Sequence, residues 1–235
     1  MECLKFTIKS PTAFFKKNDI NSVYFSYNNI HKVAIRGLLG AIIGLSGYNQ
    51  TNGKGLPQFY TELKDIKVGI VPKKMFNKKI ITFTNTTGFA NCGDNLIVKQ
   101  QWLFDVEWDV YLLNNENKHY ETIKNYILNN MTEFIPYLGA NDHQADILNP
   151  EIIECELLEN EEDYIDSLFI TDENNENNIP DYDDDVDNPI YFKEIMPIDL
   201  LEKVGYVKQE VRFTNCIVTN IENVYDCEGK NIYFL

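Results

Sequence analysis

From Cys3 to Lys9 the chain alternates, with Leu4, Phe6 and Ile8 between Cys3, Lys5, Thr7 and Lys9. Period two marks a strand with one buried face, and Ser10-Pro11 ends it. Val23–Tyr27 predicts a second short strand, closed by a turn at Asn28-Asn29. His31-Lys32 then opens a helix expected over Lys32–Leu45 and stopped by Gly47. Gly37, Gly40, Ala41 and Gly44 recur along it at helical spacing. Each interior glycine costs about 1 kcal/mol against alanine. A close approach, to a sheet or to a polyanion, must therefore offset this smooth face.

Leu56–Leu63 reads as a helical turn, and Ile66–Val71 as a strand stopped by Pro72. Lys73–Lys79 reads as a basic turn. Ile80–Thr84, Leu96–Trp102 and Trp108–Leu113 read as strands. Tyr120–Asn130 is an amphipathic helix with Ile123, Tyr126 and Ile127 on one face, and Phe134–Leu138 a strand closed by Gly139. Strands are also expected at Ile152–Leu158, Val211–Thr219 and Ile232–Leu235, the last two joined by a turn near Glu228-Gly229. The order of strand, helix, strand, hairpin, strand, helix, strand makes two βαβ-like units. It predicts an α+β, ferredoxin-like domain over 1–150 with a β-hairpin insertion at about 72–95. Residues 151–190 form an acidic insertion whose stretch Asp172–Asn188 is loop by composition, and 191–235 return as strands to the main body.

Charge changes the picture. The net of −15 over 235 residues argues against nucleic acid. Its distribution reverses that: residues 1–100 hold 14 Lys and Arg against 5 Asp and Glu, while 151–190 hold 16 acids and no base. The basic half carries Lys16 and Lys17, then His31, Lys32 and Arg36 at a helix start where backbone N–H groups favour anions, then Lys73, Lys74, Lys78 and Lys79. Together with Tyr27 and Lys99 these are the candidate RNA-binding residues. Each lysine run has a plainer reading as a solvated face.

Other chemistry is thinly represented. Gly53-Lys54-Gly55 lacks the rest of a phosphate-binding loop. Asp142, His143 and Asp146 fit a turn better than a metal site, and Asp181, Asp183 and Asp185 lack the glycine and final glutamate of a calcium loop. No metal or cofactor is expected. The five cysteines are odd in number and widely spaced, which argues against zinc pairs and a disulfide framework and points to a reducing cytoplasm. The longest apolar run, Val33–Leu45, is too short to span a membrane and contains Arg36. The set His31, Lys32 and Tyr27 is the one candidate for metal-independent RNA cleavage, with RNA contact alone as its simpler reading. A protein-only interaction module using the acidic segment is a third possibility.

The runs TAFFKK (Thr12–Lys17), YFSY (Tyr24–Tyr27) and IHKVAIRGLLGAIIGLSGYNQ (Ile30–Gln50) resemble the CRISPR-associated protein "Cas five" in its type I-B branch. So do NLIVKQQW (Asn95–Trp102) and IPYLGANDHQADI (Ile135–Ile147). The resemblance covers about residues 3–155 and part of the C-terminal end. It implies a RAMP-type fold that holds the 5′ handle of the CRISPR RNA and caps one end of Cascade. The partners it implies are the large subunit and the nearest backbone subunit. It also implies a thumb hairpin between Pro72 and Asn95, and no catalysis, since type I-B systems assign RNA processing to a separate nuclease. The acidic segment departs from the family's pattern and should project away from RNA.

Overall fold

The computed structural model describes residues 1–18, 22–51, 55–74, 77–88, 93–159, 162–170, 186, 188–202, 205–219 and 222–235. Strand dominates this α+β chain. Strand β1 (Glu2–Ala13) leads to helix α1 (Lys32–Ile42), the short helix α2 (Gln58–Glu62) and β2 (Lys67–Pro72). Then come β3 (Asn77–Thr86), β4 (Asn95–Leu113), helix α3 (Tyr120–Leu128) and β5 (Asp146–Leu157). Short strands β6 (Glu162–Tyr164) and β7 (Phe169–Ile170) precede the hairpin β8 (Tyr191–Leu201) and β9 (Gly205–Thr214). Strands β10 (Ile217–Thr219), β11 (Val224–Cys227) and β12 (Asn231–Tyr233) complete the chain.

The main sheet runs β12-β11-β5-β1-β4-β2 with every neighbour antiparallel. The alternation of β1 decides what lies on each face. Leu4, Phe6 and Ile8 face α1 and α3, in one core with Ile35, Leu38, Leu39, Ile42, Ile123 and Ile127. Each such side chain contributes roughly 2 kcal/mol of burial. On the other face Cys3 joins Tyr111, Leu113, Ile153, Ile232 and Phe234 in a second core. Leu235 exchanges both backbone hydrogen bonds with Val68 of β2, so the ends of the strand order meet. Gly69 permits this closure, because a Cβ there would sit 2.3 Å from Cγ2 of Ile232.

Several expectations change. Leu96–Trp102 and Trp108–Leu113 are one strand, β4, in which Asp105 takes a left-handed φ of 51°. Its first half pairs with β3 as a ribbon, and its second half pairs with β1 and β2. Lys78 and Lys79 therefore lie in a strand, not a turn. Phe134–Leu138 is no strand: its start turns back to cap α1, with Glu133 and Phe134 donating to the carbonyls of Ile42 and Ala41. The strand after α3 is β5, so the expected acidic insertion begins inside the main sheet. The stretch Asp172–Asn188 lies almost wholly outside the described residues. Cys155 and Cys227 stand directly opposite on β5 and β11, 4.4 Å apart at Cα, and form a disulfide. Cross-strand register, which spacing along the chain does not carry, brings them together.

Candidate nucleic-acid interface

Helix α1 begins where expected because His31 caps it. Extended backbone at His31 lets Nδ1 accept the N–H of Ala34 at 3.1 Å. The helix ends earlier than expected. Gly44 adopts φ +79°, with Gly44 N–H donating to Ala41 and Leu45 N–H to Gly40, a Schellman stop. Gly44 is thus a terminator and not part of the small-residue face. Gly40 meets neither the sheet nor open solvent but α2, since a Cβ there would lie 2.3 Å from Cβ of Phe59.

The rest of the smooth face floors a groove. Ala34, Gly37 and Ala41 lie at the bottom of an open depression of about 690 Å³. Its walls include Tyr48, Phe59, Phe134, Tyr137 and Tyr206, with Lys16 and Asn18 at one end. Tyr48, Phe134 and Tyr137 are each about half exposed, so their rings are open to a flat ligand. Aromatic faces over a side-chain-poor floor suit an unstacked nucleobase. The sequence singles out none of these rings as a contact; Tyr48 sits in a polar loop stretch, which is the signal that marks it.

The sequence-predicted cations separate into three environments. Lys16, Lys17, Lys78 and Lys99 gather around residues 22–28, which dock on β4 through Tyr24 N–H to Lys99 and Gln101 N–H to Tyr24. Lys16 Nζ lies 4.0 Å from the centre of the Tyr24 ring, and Lys16 and Lys99 are exposed. Lys17 is held 2.5 Å from the buried Glu194, which also accepts the N–H of Asn28. Charge from Glu194 and Lys17 reaches Lys78, though burial is what chiefly lowers the Lys78 pKa. Lys208, from β9, adds a cation over Tyr27. Lys79 lies on the opposite face of the ribbon, over Phe104.

Lys73 and Lys74 belong elsewhere. They meet Glu107, Asp109 and Asp105 of β4, on the sheet face turned from the helices, and Lys9 joins them at Glu107. Arg36 is buried: it meets Asp199 at 3.5 Å, donates to the Lys64 carbonyl and stacks on Tyr60. Lys32 stays half-buried beside it, its pKa drawn down to about 8 by burial first and by Arg36 second.

Tyr27 and His31 are buried among aromatic edges, His31 touching Phe15, Tyr27 and Tyr206 at 5.5–6.0 Å between ring centres. Burial pushes the His31 pKa from 6.5 down to about 3, so the ring is neutral. The unfolded chain takes up this proton as pH falls below 6.5, while the folded chain refuses it down to about 3. Stability is therefore complete above that window and lost as pH falls through it, by up to about 1.4 kcal/mol per pH unit. Burial lowers the pKa of His143 as well, with the same sign. Urea titrations from neutral to acid pH should show this slope, and His31→Asn, which keeps a capping side chain, should flatten it.

His143 is buried, with Nδ1 at 2.7 Å from Thr12 Oγ1 and its ring edge-on against Trp102. Among the described residues no cluster of three metal-ligating side chains exists, and no helix is long and apolar enough to cross a membrane.

No family model matches the chain, and no curated protein matches it in sequence. Several solved structures align with the chain. A chain of a CRISPR RNA-guided surveillance complex aligns over 94% of this chain and 91% of its own at 12% identity, with a TM-score of 0.49. A chain of the type III-B Cmr-beta complex bound to cognate target RNA aligns over 94% and 86% at 12% identity, with a TM-score of 0.48. A CRISPR protein from Archaeoglobus fulgidus aligns over 99% of this chain and 98% of its own, at 8% identity and a TM-score of 0.55, and this chain shares its fold.

Proposed function

We propose that this chain is a non-catalytic, RNA-binding subunit of a CRISPR effector complex. More narrowly, it would be the Cas five subunit of a type I-B Cascade, holding the 5′ handle of the CRISPR RNA and meeting the backbone and large subunits. The observation that carries the reading is the groove: an aromatic wall over the Ala34–Gly37–Ala41 floor, with exposed Lys16 at its end. Its setting in a fold shared with a CRISPR protein supports the CRISPR reading. The strand order β5-β1-β4-β2, with α1 between β1 and β2 and α3 between β4 and β5, supports a ferredoxin-like core. The β3–β4 ribbon supports a thumb.

On this reading unpaired bases stack in the groove while Lys16, Lys99 and Lys208 meet phosphates. Lys16→Glu with Lys99→Glu should weaken binding of repeat-derived RNA about tenfold or more, and reduce its log–log salt slope by one to two. Lys73→Glu with Lys74→Glu should leave affinity near that of the parent, because those lysines already face carboxylates. Filter binding across a salt series measures both, and an unchanged affinity at low salt in the first variant counts against the reading. On this reading His31 serves the fold, its ring buried and its Nδ1 capping α1, and the alternative is an endoribonuclease using His31, Lys32 and Tyr27. Metal-free cleavage of repeat RNA that vanishes in His31→Ala would overturn the non-catalytic assignment.

A further inference from the structure

The face built by the end of α3, the loop that follows and β5 has a different character. From residue 125 to residue 192 the chain contains no lysine or arginine. Asp142, Asp146, Glu154 and Glu156 are exposed there. The cations beside this face are already matched by acids: the Met1 amino group by Glu154, and Lys124 by Glu2 and Glu121.

The same face is apolar. Met131, Ile135, Leu148 and Ile152 are exposed, Ile135 to 67%. A cavity of about 240 Å³ opens beside Met131 and Leu148, lined also by Ile42, Ile127, Pro136 and Ile147. The ridge beside it is firmly held. Met131 donates to the carbonyl of Tyr126, Glu133 to Ile42, Phe134 to Ala41 and Ala145 to Pro136. The Tyr126 hydroxyl donates to the Glu133 carboxylate at 2.7 Å. An apolar patch fixed in place by backbone bonds is a surface prepared for contact. Exposed carboxylates repel a polyanion and favour a cationic partner.

We propose that this face docks a protein partner through a cationic, amphipathic segment. An aliphatic side chain of the partner fills the cavity between Met131 and Leu148, and its lysines or arginines face Asp146 at the cavity's edge. The inference does not depend on the RNA reading, which concerns the groove on α1.

The test uses the full chain with methyl-labelled methionine and isoleucine. The probe is a short synthetic peptide with leucine and lysine at helical spacing. Methyl shifts should concentrate at Met131, Ile135 and Ile152, with affinity at least about tenfold weaker in both Met131→Asp and Ile135→Asp. A leucine–glutamate peptide and an oligolysine of equal length should leave those methyls unmoved. Shifts located elsewhere, or equal shifts with oligolysine, overturn the proposal. So does self-association of the free chain, seen by sedimentation and abolished by Ile135→Asp, because the occupant would then be a second copy. Both substitutions sit at exposed positions, and their melting curves verify folding.

Discussion

Gly139→Ala should lower the stability of this chain by about 4 kcal/mol, combining a strained left-handed φ with steric overlap. Gly139 has φ +88°, and an added Cβ would stand 1.9 Å from the carbonyl oxygen of Phe14 and 3.3 Å from the Phe15 ring. Backbone, not a flexible side-chain end, blocks the way. Phe14 N–H donates to Leu138, Leu138 N–H to His143, and Ala145 N–H to Pro136, so a forced shift would pull the 136–145 loop off β1. At 2–4 °C per kcal/mol for a chain of this size, the midpoint should fall by about 10 °C. Differential scanning calorimetry reads it directly. A midpoint within a degree or two of the parent would mean that the loop is not clamped as described.

Arg36→Ala should cost about 3 kcal/mol, near the lower end for opening a buried ion pair, because Asp199 is partly exposed and can regain water. The guanidinium ties three elements together: α1 carries it, Tyr60 of α2 lies against it, and Asp199 belongs to β8. Tyr60 Oη also accepts the N–H of Leu200 at 2.6 Å, so the β8–β9 hairpin rests on this cluster. Arg36→Met keeps most of the packed length and should cost about half as much. Urea unfolding of the two variants separates charge from volume. Equal losses would assign the effect to the ion pair and hydrogen bonds alone.

Much of the architecture was legible because alternation reports burial directly. The buried faces of β1 and of the second half of β4 follow from Leu4, Phe6 and Ile8 and from Val110 and Leu112, and Glu228-Gly229 forms its expected turn with both residues at positive φ. Helix α1 was found at the right start because His31 caps it, but its end was misplaced. Apolar residues continue to Leu45 while Gly44 already closes the backbone. Phe134–Leu138 misled for a related reason: an apolar run reads as a strand, but here the backbone caps a helix and the rings wall a groove. Arg36 could not be placed from sequence, since its partner Asp199 comes from a hairpin more than 160 positions away. The disulfide was hidden in the same way, because its cysteines meet through the pairing of β5 with β11. The candidate interface was therefore half legible. Lys16 and the smooth helix face were in view, but the aromatic walls arrive from four separate segments.

Strand β4 has one more consequence. Its 19 residues form a beam of roughly 60 Å, part embedded in the main sheet and part cantilevered as the ribbon. The beam has no hinge segment of its own, so the ribbon's orientation is inherited from the β1–β4 ladder. Register fixes which side chains share each ribbon face: Lys78, Ile80 and Lys99 on one, Lys79, Phe83 and Trp102 on the other. Deleting one residue between Leu103 and Glu107 would invert those faces relative to the core, while deleting two would shorten the overhang and keep them. In this stretch, the parity of chain length is a structural constraint in its own right.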